Sequence, residues 1–371
     1  MNIAIVRRQC GFEFGGAERY CANVSIGLSH SGHKVTVISD DSSLNELTFL
    51  RAKVYGRGSI LKNLSFFYSV KKILKKHRFD LVYGLSRIEN ADFLRISDPL
   101  HLAWLKLGYK DRLLPFRIRL FMPRHLSILF QERKSIKSAK FIITNSKLVR
   151  EQVKKIYGFP EKNIFTIYNG VDLKRFYPVT DTERKRIRKK LGIKDEEVAI
   201  LFVGSDYKRK GLLILLDALA KLKDEFDFSL FVLGVFLKKG LAKRCNRLGL
   251  SDKVHFLGFR QDGETFYRAS DLMCLPTFYD PFANVCLESI ACGTPVITTD
   301  KNGAGEIIRE LGEELLVTAG DSKVLKKAIC RFLKKTKAEH KELREKCFFL
   351  SQRYGWEHHI NKLLSLFPKL L

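Results

Sequence analysis

With 371 residues, 45% of them hydrophobic, the chain is too long for one hydrophobic core and predicts two domains of roughly 150–200 residues. Its formal net charge of +27 indicates a polyanionic partner, a requirement that nucleic acid, anionic lipid and phosphorylated substrates all meet. No apolar stretch reaches the ~18 residues of a membrane-spanning helix and the first residues lack a signal peptide's apolar run, so we expect a cytosolic protein.

The first half of the chain begins with a β-α-β pattern. The apolar run "NIAIV" predicts a strand, and the glycine-containing turn "GFEFGG" leads into a helix from Ala17, which "HKVTVIS" follows as a second strand. Further strands are predicted at residues 80–85 and 140–146, each beside a helical stretch. This alternation predicts a doubly wound parallel sheet.

The first turn has the glycine spacing G-x-x-x-G-G, which differs from the G-x-G-x-x-G fingerprint of dinucleotide-binding sites. We therefore expect no nicotinamide or flavin cofactor. Gly15 and Gly16 would still let a ligand approach the backbone where the next helix presents its amides to an anion. A plain structural turn is the alternative interpretation.

Residues 101–160 carry 14 lysines and arginines against three acidic residues. Within this basic tract, residues 113–130 ("LLPFRIRLFMPRHLSILF") mix bulky apolar side chains with four basic ones, as a segment at a membrane surface does. These four are Arg117, Arg119, Arg124 and His125. A buried helix with solvated arginines explains the pattern equally well.

The second half repeats the α/β pattern after residues 168–179, whose Asn-Gly pair and proline predict a linker. Apolar runs predict strands at 198–204, 228–234, 253–259, 271–277, 294–300 and 314–320. The sequence therefore predicts two doubly wound domains in series. Because such sheets bind ligands at the carboxyl ends of their strands, we expect the two domains to face a shared cleft.

The first turn of the second domain, "SDYKRKG", contains three successive bases, Lys208, Arg209 and Lys210. Positive side chains after a strand and beside a helix amino terminus suit a diphosphate. Because the helix dipole disfavours cations at that end, the three bases are unfavourable there unless an anion binds. A solvated surface loop is the alternative.

Two acids, Asp280 and Glu288, frame the stretch "DPFANVCLE". If most of this interval is helical they lie roughly 10 Å apart along the axis, whereas a retaining glycosidase needs its two carboxyl groups ~5 Å apart. We therefore expect them to contact two parts of one extended ligand, a sugar and a ribose. The backbone amides of the helix start between them are predicted to bind phosphate oxygens. These amides belong to Phe282, Ala283, Asn284 and Val285.

The eight cysteines include no C-x-x-C pair, and most lie in apolar segments. This distribution predicts reduced core residues and neither a disulfide framework nor a metal site.

Several segments together resemble the family-4 glycosyltransferases of GT-B architecture. They are "FGGAERY", "GLSHSGHKVTVIS", "ITNSKLVREQVKKIYGFPEKNIFTIYNGVDLKRFYP", "VGSDYKRKG" and "YDPFANVCLESIACGTPVITTDKNGAGEII". The resemblance implies an acceptor-binding Rossmann-like domain (1–170), a nucleotide-sugar-binding Rossmann-like domain (171–353) and a carboxyl-terminal helix (354–371) that packs back on the first domain.

The resemblance implies transfer of a glycosyl unit from a nucleotide sugar, with retention and without a metal, and no D-x-D triplet occurs in the chain. The family's E-x7-E motif falls on Asp280 and Glu288, so this chain carries the shorter acid first. By analogy, Arg209 and Lys210 bind the diphosphate, Glu288 the ribose, and Asp280 with the backbone of 282–285 the donor sugar and phosphate.

Within the family, "VGSDYKRKGLL" and "ADFLRISDPLHLAWL" (91–105) are similar to lipopolysaccharide core glucosyltransferases that act on inner-core heptose. The resemblance implies glucose from UDP-glucose as the donor unit, with no separate cofactor. Asp92, Asp98 and His101 are candidates for positioning the acceptor, and a packed core histidine is the alternative for His101.

Such acceptors are phosphorylated glycolipids, so we expect the basic tract to dock the protein on the inner face of the cytoplasmic membrane. Two other classes fit parts of the sequence. A sugar-nucleotide epimerase of the same fold would bind the same donor. A nucleic-acid-binding protein would explain the charge but leaves the two acids without a role.

Overall fold

A computed structural model of the chain describes residues 1–13, 15–44, 46–107 and 116–370, without the side chains of Leu107, Phe116, Arg117 and Leu370. The described residues divide into two compact units. Unit 1 comprises Met1–Gly170 and Trp356–Leu371, and unit 2 comprises Val171–Gly355.

The strands are short and mostly buried, as the apolar runs of the sequence predict. They are β1 (Asn2–Val6), β2 (Gln9–Cys10), β3 (Lys34–Ser39), β4 (Asp41–Ser42), β5 (Thr48–Arg51), β6 (Leu81–Gly84), β7 (Phe93–Ile96), β8 (Phe141–Thr144), β9 (Ile164–Thr166), β10 (Val198–Val203), β11 (Phe228–Leu233), β12 (Val254–Gly258), β13 (Leu272–Leu275), β14 (Val296–Thr299) and β15 (Leu316–Val317).

Helices alternate with these strands. They are α1 (Gly16–His30), α2 (Ser59–Lys76), α3 (His101–Leu107), α4 (Phe116–Leu120), α5 (Pro123–Ser138), α6 (Lys147–Tyr157), α7 (Asp181–Lys190), α8 (Leu212–Leu219), α9 (Lys239–Leu248), α10 (Gly263–Ala269), α11 (Asn284–Ala291), α12 (Gly305–Ile308), α13 (Ser322–Leu333), α14 (Lys337–Gln352) and α15 (Trp356–Leu364). Short 3-10 turns span Glu161–Asn163, Arg309–Leu311, Glu313–Leu315 and Phe367–Leu370.

Within the described residues, unit 1 contains a seven-stranded sheet in the order β5-β3-β1-β6-β7-β8-β9, and every pairing in it is parallel. The chain runs outward from β1 through β3 to β5 and then crosses to β6 on the other side of β1. This reversal between β1 and β6 is the switch point of a doubly wound sheet, where ligands bind beyond the carboxyl ends of the strands.

Unit 2 repeats the arrangement with a six-stranded parallel sheet in the order β12-β11-β10-β13-β14-β15. Its switch point lies between β10 and β13. The predicted α/β class with two Rossmann-like sheets is therefore confirmed. Strand β7 of unit 1 was not predicted from the sequence. Its four residues include Arg95, and this charge interrupts the apolar run that would have indicated a strand.

Helix α15 completes the core of unit 1. Ile360 and Leu363 join the buried cluster that contains Ile3, Ile5 and Leu28. A Cβ atom on Gly27 of α1 would come within 2.7 Å of the Ile360 side chain, so glycine is needed for this close approach. The prediction that a carboxyl-terminal helix packs on the first domain is confirmed.

All eight cysteines are free thiols, and all but Cys330 are buried. Burial raises the pKa of the Cys286 thiol to about 12, which keeps it protonated and inert at neutral pH. None of the described helices combines the length and apolar character needed to cross a membrane.

Candidate active site

The basic loop of unit 2 connects β10 to α8 at the switch point. Gly211 ends this loop in the left-handed region, with φ +83°, and a Cβ atom there would lie 2.0 Å from the carbonyl oxygen of Pro276. Arg209 is held as well, because its carbonyl accepts hydrogen bonds from the Phe278 amide (2.9 Å) and the Thr277 hydroxyl (3.0 Å). The loop is thus fixed against the segment that follows β13.

Asp280 lies in that segment and joins two of the three bases. Its Oδ2 accepts hydrogen bonds from Lys210 Nζ at 2.7 Å and from Arg209 Nη1 at 3.0 Å. Burial alone would raise the pKa of Asp280, but the charges of Lys210 and Arg209 outweigh it and hold the pKa below its usual value. The structure thus brings Arg209, Lys210 and Asp280 together, while Lys208 is exposed.

The loop's three bases, with the exposed Lys208 among them, face two carboxylates, Asp280 and the exposed Asp206 that pairs with Arg209 at 3.3 Å, so a net positive charge remains at the carboxyl end of the sheet. Lys210 carries three N–H donors, and one of them serves Asp280. The cluster can therefore hold an anion while its geometry is set beforehand by Asp280. Such preorganised positive charge is suited to stabilising a departing diphosphate.

Two of the four backbone amides predicted for phosphate oxygens donate hydrogen bonds within the protein, and their phosphate contact stays a prediction. The Phe282 amide donates to Asp280 Oδ1 at 3.2 Å, and the Ala283 amide donates to Asn302 Oδ1 at 3.2 Å. These two amides position Asp280 and the start of α11. The physical reason is that the turn after Asp280 is buried, so its polar groups are satisfied locally.

Asn284 and Val285 are the first two residues of α11, so they lie at the positive end of that helix. Glu288, one turn further, accepts a hydrogen bond of 2.8 Å from the hydroxyl of Tyr267. Burial and the nearby Glu288 charge raise the pKa of Tyr267 well above its usual value, so it remains a donor. Glu288 is thus held by Tyr267, whereas Asp280 is held by Arg209 and Lys210.

In the part of the chain that the structure describes, no group of three or more histidine, cysteine, aspartate or glutamate side chains is arranged to hold a metal ion. Metal independence remains a prediction.

The switch point of unit 1 opens into a cavity of about 230 Å³. Arg7, which directly follows β1, pairs there with Glu18 at 2.9 Å and with Asp98 at 3.2 Å. Glu18 belongs to the first turn of α1, which Gly15 caps and Gly16 begins. Asp98 therefore lines this cavity, and its role in positioning the acceptor stays a prediction. The two glycines lie at the start of the helix that supplies Glu18.

His101 begins α3 behind this cavity. Its amide donates to both carboxylate oxygens of Glu132 at 3.1 Å, and its Nε2 lies 2.9 Å from Nδ1 of His125. Its ring also stacks on Trp104, and burial is the main reason that its pKa falls to about 4. His101 is thus a packed, neutral histidine, the alternative that the sequence left open, and the cavity lining does not include it.

Asp92 precedes β7, so it lies at the opposite end of that strand from Asp98. Its carboxylate accepts a hydrogen bond from the Val82 amide (2.8 Å) and pairs with Lys140 (2.8 Å). The structure does not bring Asp92 and Asp98 together. The contacts of Asp92 join neighbouring strands at the amino ends, which is a structural role.

Sequence reasoning missed six charged residues of the cavity lining: Arg7, Arg8, Glu18, Arg87, Arg95 and Glu132. Two of them carried a usable signal, since Arg7 directly follows β1 and Arg87 lies three residues beyond β6, at the two strands that flank the switch point. Glu132 carried none, because it is brought to the cavity by a long helix whose register the sequence does not show.

The basic tract contains α4 and α5, while residues 108–115 and the Arg117 side chain lie outside the described part. Arg119 on α4 and His125 on α5 are both buried, contrary to their predicted place on a docking surface. His125 is buried because one face of α5 packs inward. Arg124 is exposed. Large exposed apolar side chains lie near it in the sequence: Ile118, Phe121 at 72% exposure, Met122, Leu126 and Phe130.

Two family descriptions match this chain in sequence. Residues 14–175 match "Glycosyltransferase Family 4", and residues 183–348 match "Glycosyl transferases group 1". The first match falls almost entirely in unit 1 and the second entirely in unit 2.

Individual proteins agree with these matches. The lipopolysaccharide glucosyltransferase WaaG of Escherichia coli K12 is 24% identical over 304 residues, which cover 81% of this chain and 80% of the relative. A crystal structure of WaaG, described as a glycosyltransferase involved in lipopolysaccharide biosynthesis, has a TM-score of 0.78 at 23% identity, over 99% of this chain and 98% of that one. The Anabaena protein HepE in complex with UDP-glucose has a TM-score of 0.74 at 20% identity, over 99% of both chains.

Proposed function

The chain belongs to the family-4 glycosyltransferases of GT-B fold, and we propose that it transfers a hexose, glucose foremost, from UDP-glucose to a glycolipid of the lipopolysaccharide core type. The name of the E. coli relative supports the acceptor class, and the UDP-glucose bound to the Anabaena protein supports the donor. The family matches favour this function over an epimerase or a nucleic-acid-binding protein.

The observation that carries the proposal is the cluster of Arg209, Lys210 and Asp280 at the switch point of unit 2. In the proposed reaction, the acceptor hydroxyl oxygen bonds to the anomeric carbon as the bond from that carbon to the phosphate oxygen breaks. Negative charge grows on the leaving diphosphate, and Lys210 and Arg209 stabilise it. The hydroxyl proton passes to a phosphate oxygen, so transfer with retention on one face requires no protein base.

Two acids would hold the rest of the donor. Glu288, fixed by the Tyr267 hydroxyl, accepts hydrogen bonds from the ribose hydroxyls. Asp280 has Oδ2 committed to the two bases, so its part in sugar binding would use Oδ1, which it shares with the Phe282 amide. The amides of Asn284 and Val285 would contact the donor phosphate at the start of α11.

The function is tested by measuring binding of, and transfer from, a panel of nucleotide sugars. The unaltered chain is compared with the variant Lys210→Ala. We expect UDP-glucose to bind and the variant to lose roughly 10³-fold in kcat, because one stabilising charge is removed from the transition state. Lys253→Ala is the matched control. Lys253 directly precedes β12, so it lies at the amino end of an edge strand of the same sheet, and it pairs with Asp227. Near-normal turnover by Lys210→Ala would remove this lysine from the site.

We also propose that α4 and α5 dock the enzyme on the inner face of the cytoplasmic membrane. Phe121 and Leu126 present apolar area beside the exposed base Arg124, the composition of an interfacial helix. Arg133 and Lys134, both exposed, extend the positive surface along α5. Each base near an anionic surface contributes about 1 kcal/mol.

Vesicle co-sedimentation tests this docking surface. With vesicles of phosphatidylglycerol and phosphatidylcholine, the double variant Phe121→Ser, Arg124→Glu should bind at least roughly tenfold more weakly than the unaltered chain. Tyr55→Ser with Lys53→Glu makes the same kinds of change at exposed positions elsewhere in unit 1 and should bind normally. Equal binding by both double variants would place the docking surface elsewhere.

A further inference from the structure

Helix α13 of unit 2 carries an unbalanced positive charge. Its twelve residues include four lysines and arginines and no acidic residue, whereas the next helix, α14, has four such bases and three acids. On α13, Lys323, Lys327 and Arg331 follow at intervals of four residues, so they share one face and repel each other. This repulsion lowers the stability of the helix unless an anionic partner offsets it.

A groove of about 790 Å³ lies along this face and collects bases from two further segments. Lys221, which follows α8, and Lys335, which precedes α14, line it together with the bases of α13. The lining contains seven lysines and arginines and one acid, Glu339, a formal charge of +6. The Glu339 carboxylate caps α14, since it accepts hydrogen bonds from the amide and the hydroxyl of Thr336.

Most of these bases are not paired within unit 2. Lys326 pairs with Glu225 at 3.2 Å, and Lys335 pairs with Glu314 at 3.9 Å. Asp321 caps α13 by accepting hydrogen bonds from the amides of its first turn. Among the described residues, no carboxylate lies within ion-pair distance of the other five bases of the lining, all of which are exposed: Lys221, Lys323, Lys327, Arg331 and Lys334.

The side chains of the groove favour an acidic peptide over a nucleic acid or a membrane. The lining contains no aromatic ring on which a nucleobase could stack. Val324 is the only large apolar side chain of α13 that is exposed, whereas a segment that lies in a bilayer surface presents several. Six of the seven bases are lysines, so the groove lacks the arginine forks that recognise phosphate in two-point contacts.

The groove is also remote from the bases that follow β10. Glu225, the partner of Lys326, shortly precedes β11, so the groove lies near the amino ends of the strands. Arg209 and Lys210 follow β10 at the carboxyl ends of the same sheet. An occupant of the groove would therefore leave the proposed donor site open.

We propose that this groove is a docking site for an acidic segment of a partner protein. The row of bases from Lys323 to Lys334 is about 16 Å long at ~1.5 Å per helical residue. An extended peptide rises ~3.3 Å per residue, so about five residues cover the row. Carboxylates of such a segment pair with Lys323, Lys327 and Arg331 and offset the repulsion among them. The inference goes beyond the proposed function and does not depend on it.

Fluorescence anisotropy of the full chain with a labelled peptide of ten glutamates tests the docking site. We expect binding that weakens as the salt concentration rises, because the contacts join exposed charges. The double variant Lys327→Glu, Arg331→Glu should bind the peptide at least roughly tenfold more weakly. It places acids beside the remaining lysines of α13, so it should fold, and its thermal unfolding midpoint is measured to check this.

The matched control is Lys243→Glu with Arg247→Glu, an exposed lysine and arginine four residues apart on α9, outside the groove lining. It makes the same change of charge in the same unit and should alter the affinity no more than about twofold. Equal weakening by both double variants would show that the peptide responds to net charge alone and would overturn the proposal. Absence of peptide binding to the unaltered chain would do the same.

Two further probes distinguish other occupants of the groove. They are a single-stranded DNA of ten nucleotides and vesicles of phosphatidylglycerol and phosphatidylcholine. We expect the variant at Lys327 and Arg331 to bind vesicles as the unaltered chain does. If DNA bound more tightly than the peptide and this variant lost it, or if this variant lost vesicle binding, the groove would belong to a nucleic acid or a membrane and the proposal would be wrong. None of these measurements uses a nucleotide sugar, so their failure leaves the proposed function untouched.

Discussion

The two units use the same kind of sheet but balance the charge at its carboxyl edge differently. In unit 2, Arg209 and Lys210 share the buried carboxylate of Asp280, so the bases have fixed positions. In unit 1, Arg95 is equally buried, yet no carboxylate of the described residues lies within ion-pair distance of it. The two units thus hold buried charge in two ways: unit 2 uses an ion pair, whereas in unit 1 Arg95 donates to the neutral Ile167 carbonyl and Asn169 Oδ1.

The largest expected effect concerns the cluster of Arg209, Lys210 and Asp280 in unit 2. Asp280→Asn preserves shape and the acceptor for the Phe282 amide but removes the charge between Lys210 and Arg209. Breaking a buried ion pair from one side costs about 3–5 kcal/mol, so we expect the free energy of unfolding to fall by about that much. Urea unfolding followed by circular dichroism measures it.

The matched control is Asp227→Asn, whose exposed carboxylate pairs with Lys253 and should contribute less than about 1 kcal/mol. Because the pKa of Asp280 is depressed, its contribution is present above the pKa of the unfolded chain and is lost as pH falls through the lower, folded value. Equal stability of the two variants would show that the bases do not depend on Asp280.

A smaller effect is the pH dependence of the free energy of unfolding of unit 1. The pKa of His101 is about 4 in the folded state because the ring is buried, whereas an unfolded histidine has a pKa of ~6.5. Folded His101 therefore stays neutral while the unfolded chain takes up a proton, so stability falls as pH drops from ~6.5 towards 4. At pH 5 this lowers the free energy of unfolding by about 2 kcal/mol.

Tryptophan fluorescence follows the unfolding of unit 1, because both tryptophans, Trp104 and Trp356, belong to it. His101→Gln should remove about 2 kcal/mol of the difference in unfolding free energy between pH 7 and pH 5. His358→Gln serves as the control, since this neighbouring histidine of α15 is exposed. If His101→Gln kept the full pH dependence, other groups would be responsible.

The smallest expected effect concerns the hydrogen bond that holds Glu288 in unit 2. Tyr267→Phe removes the hydroxyl that donates to Glu288, a contact worth about 1 kcal/mol. We expect KM for the nucleotide sugar to rise roughly fivefold with little change in kcat, because in the proposed function Glu288 binds the ribose and not the reacting atoms. Tyr177→Phe, at an exposed ring, should behave as the unaltered enzyme does; a loss confined to kcat in Tyr267→Phe would contradict this assignment.

The site was predictable where chemistry follows directly from a strand end. Arg209 and Lys210 could be located because the apolar run of β10 stops just before them, and Gly211 marks the start of α8. The engagement of the Ala283 amide could not be predicted, because it depends on Asn302, which lies beyond β14. Likewise, Asp92 and Asp98 are close in sequence, but β7 separates them by its own length.

The sequence by itself determined the α/β class, the two doubly wound sheets, the helix that returns to unit 1 and the family, since alternating apolar runs and turns are local signals. Only the tertiary structure decided which charges are paired. It paired Asp280 with Arg209 and Lys210, placed His101 in a packed interior, and buried Arg95 within β7. The physical reason is that burial and ion pairing depend on residues distant in the chain, whose proximity no local pattern encodes.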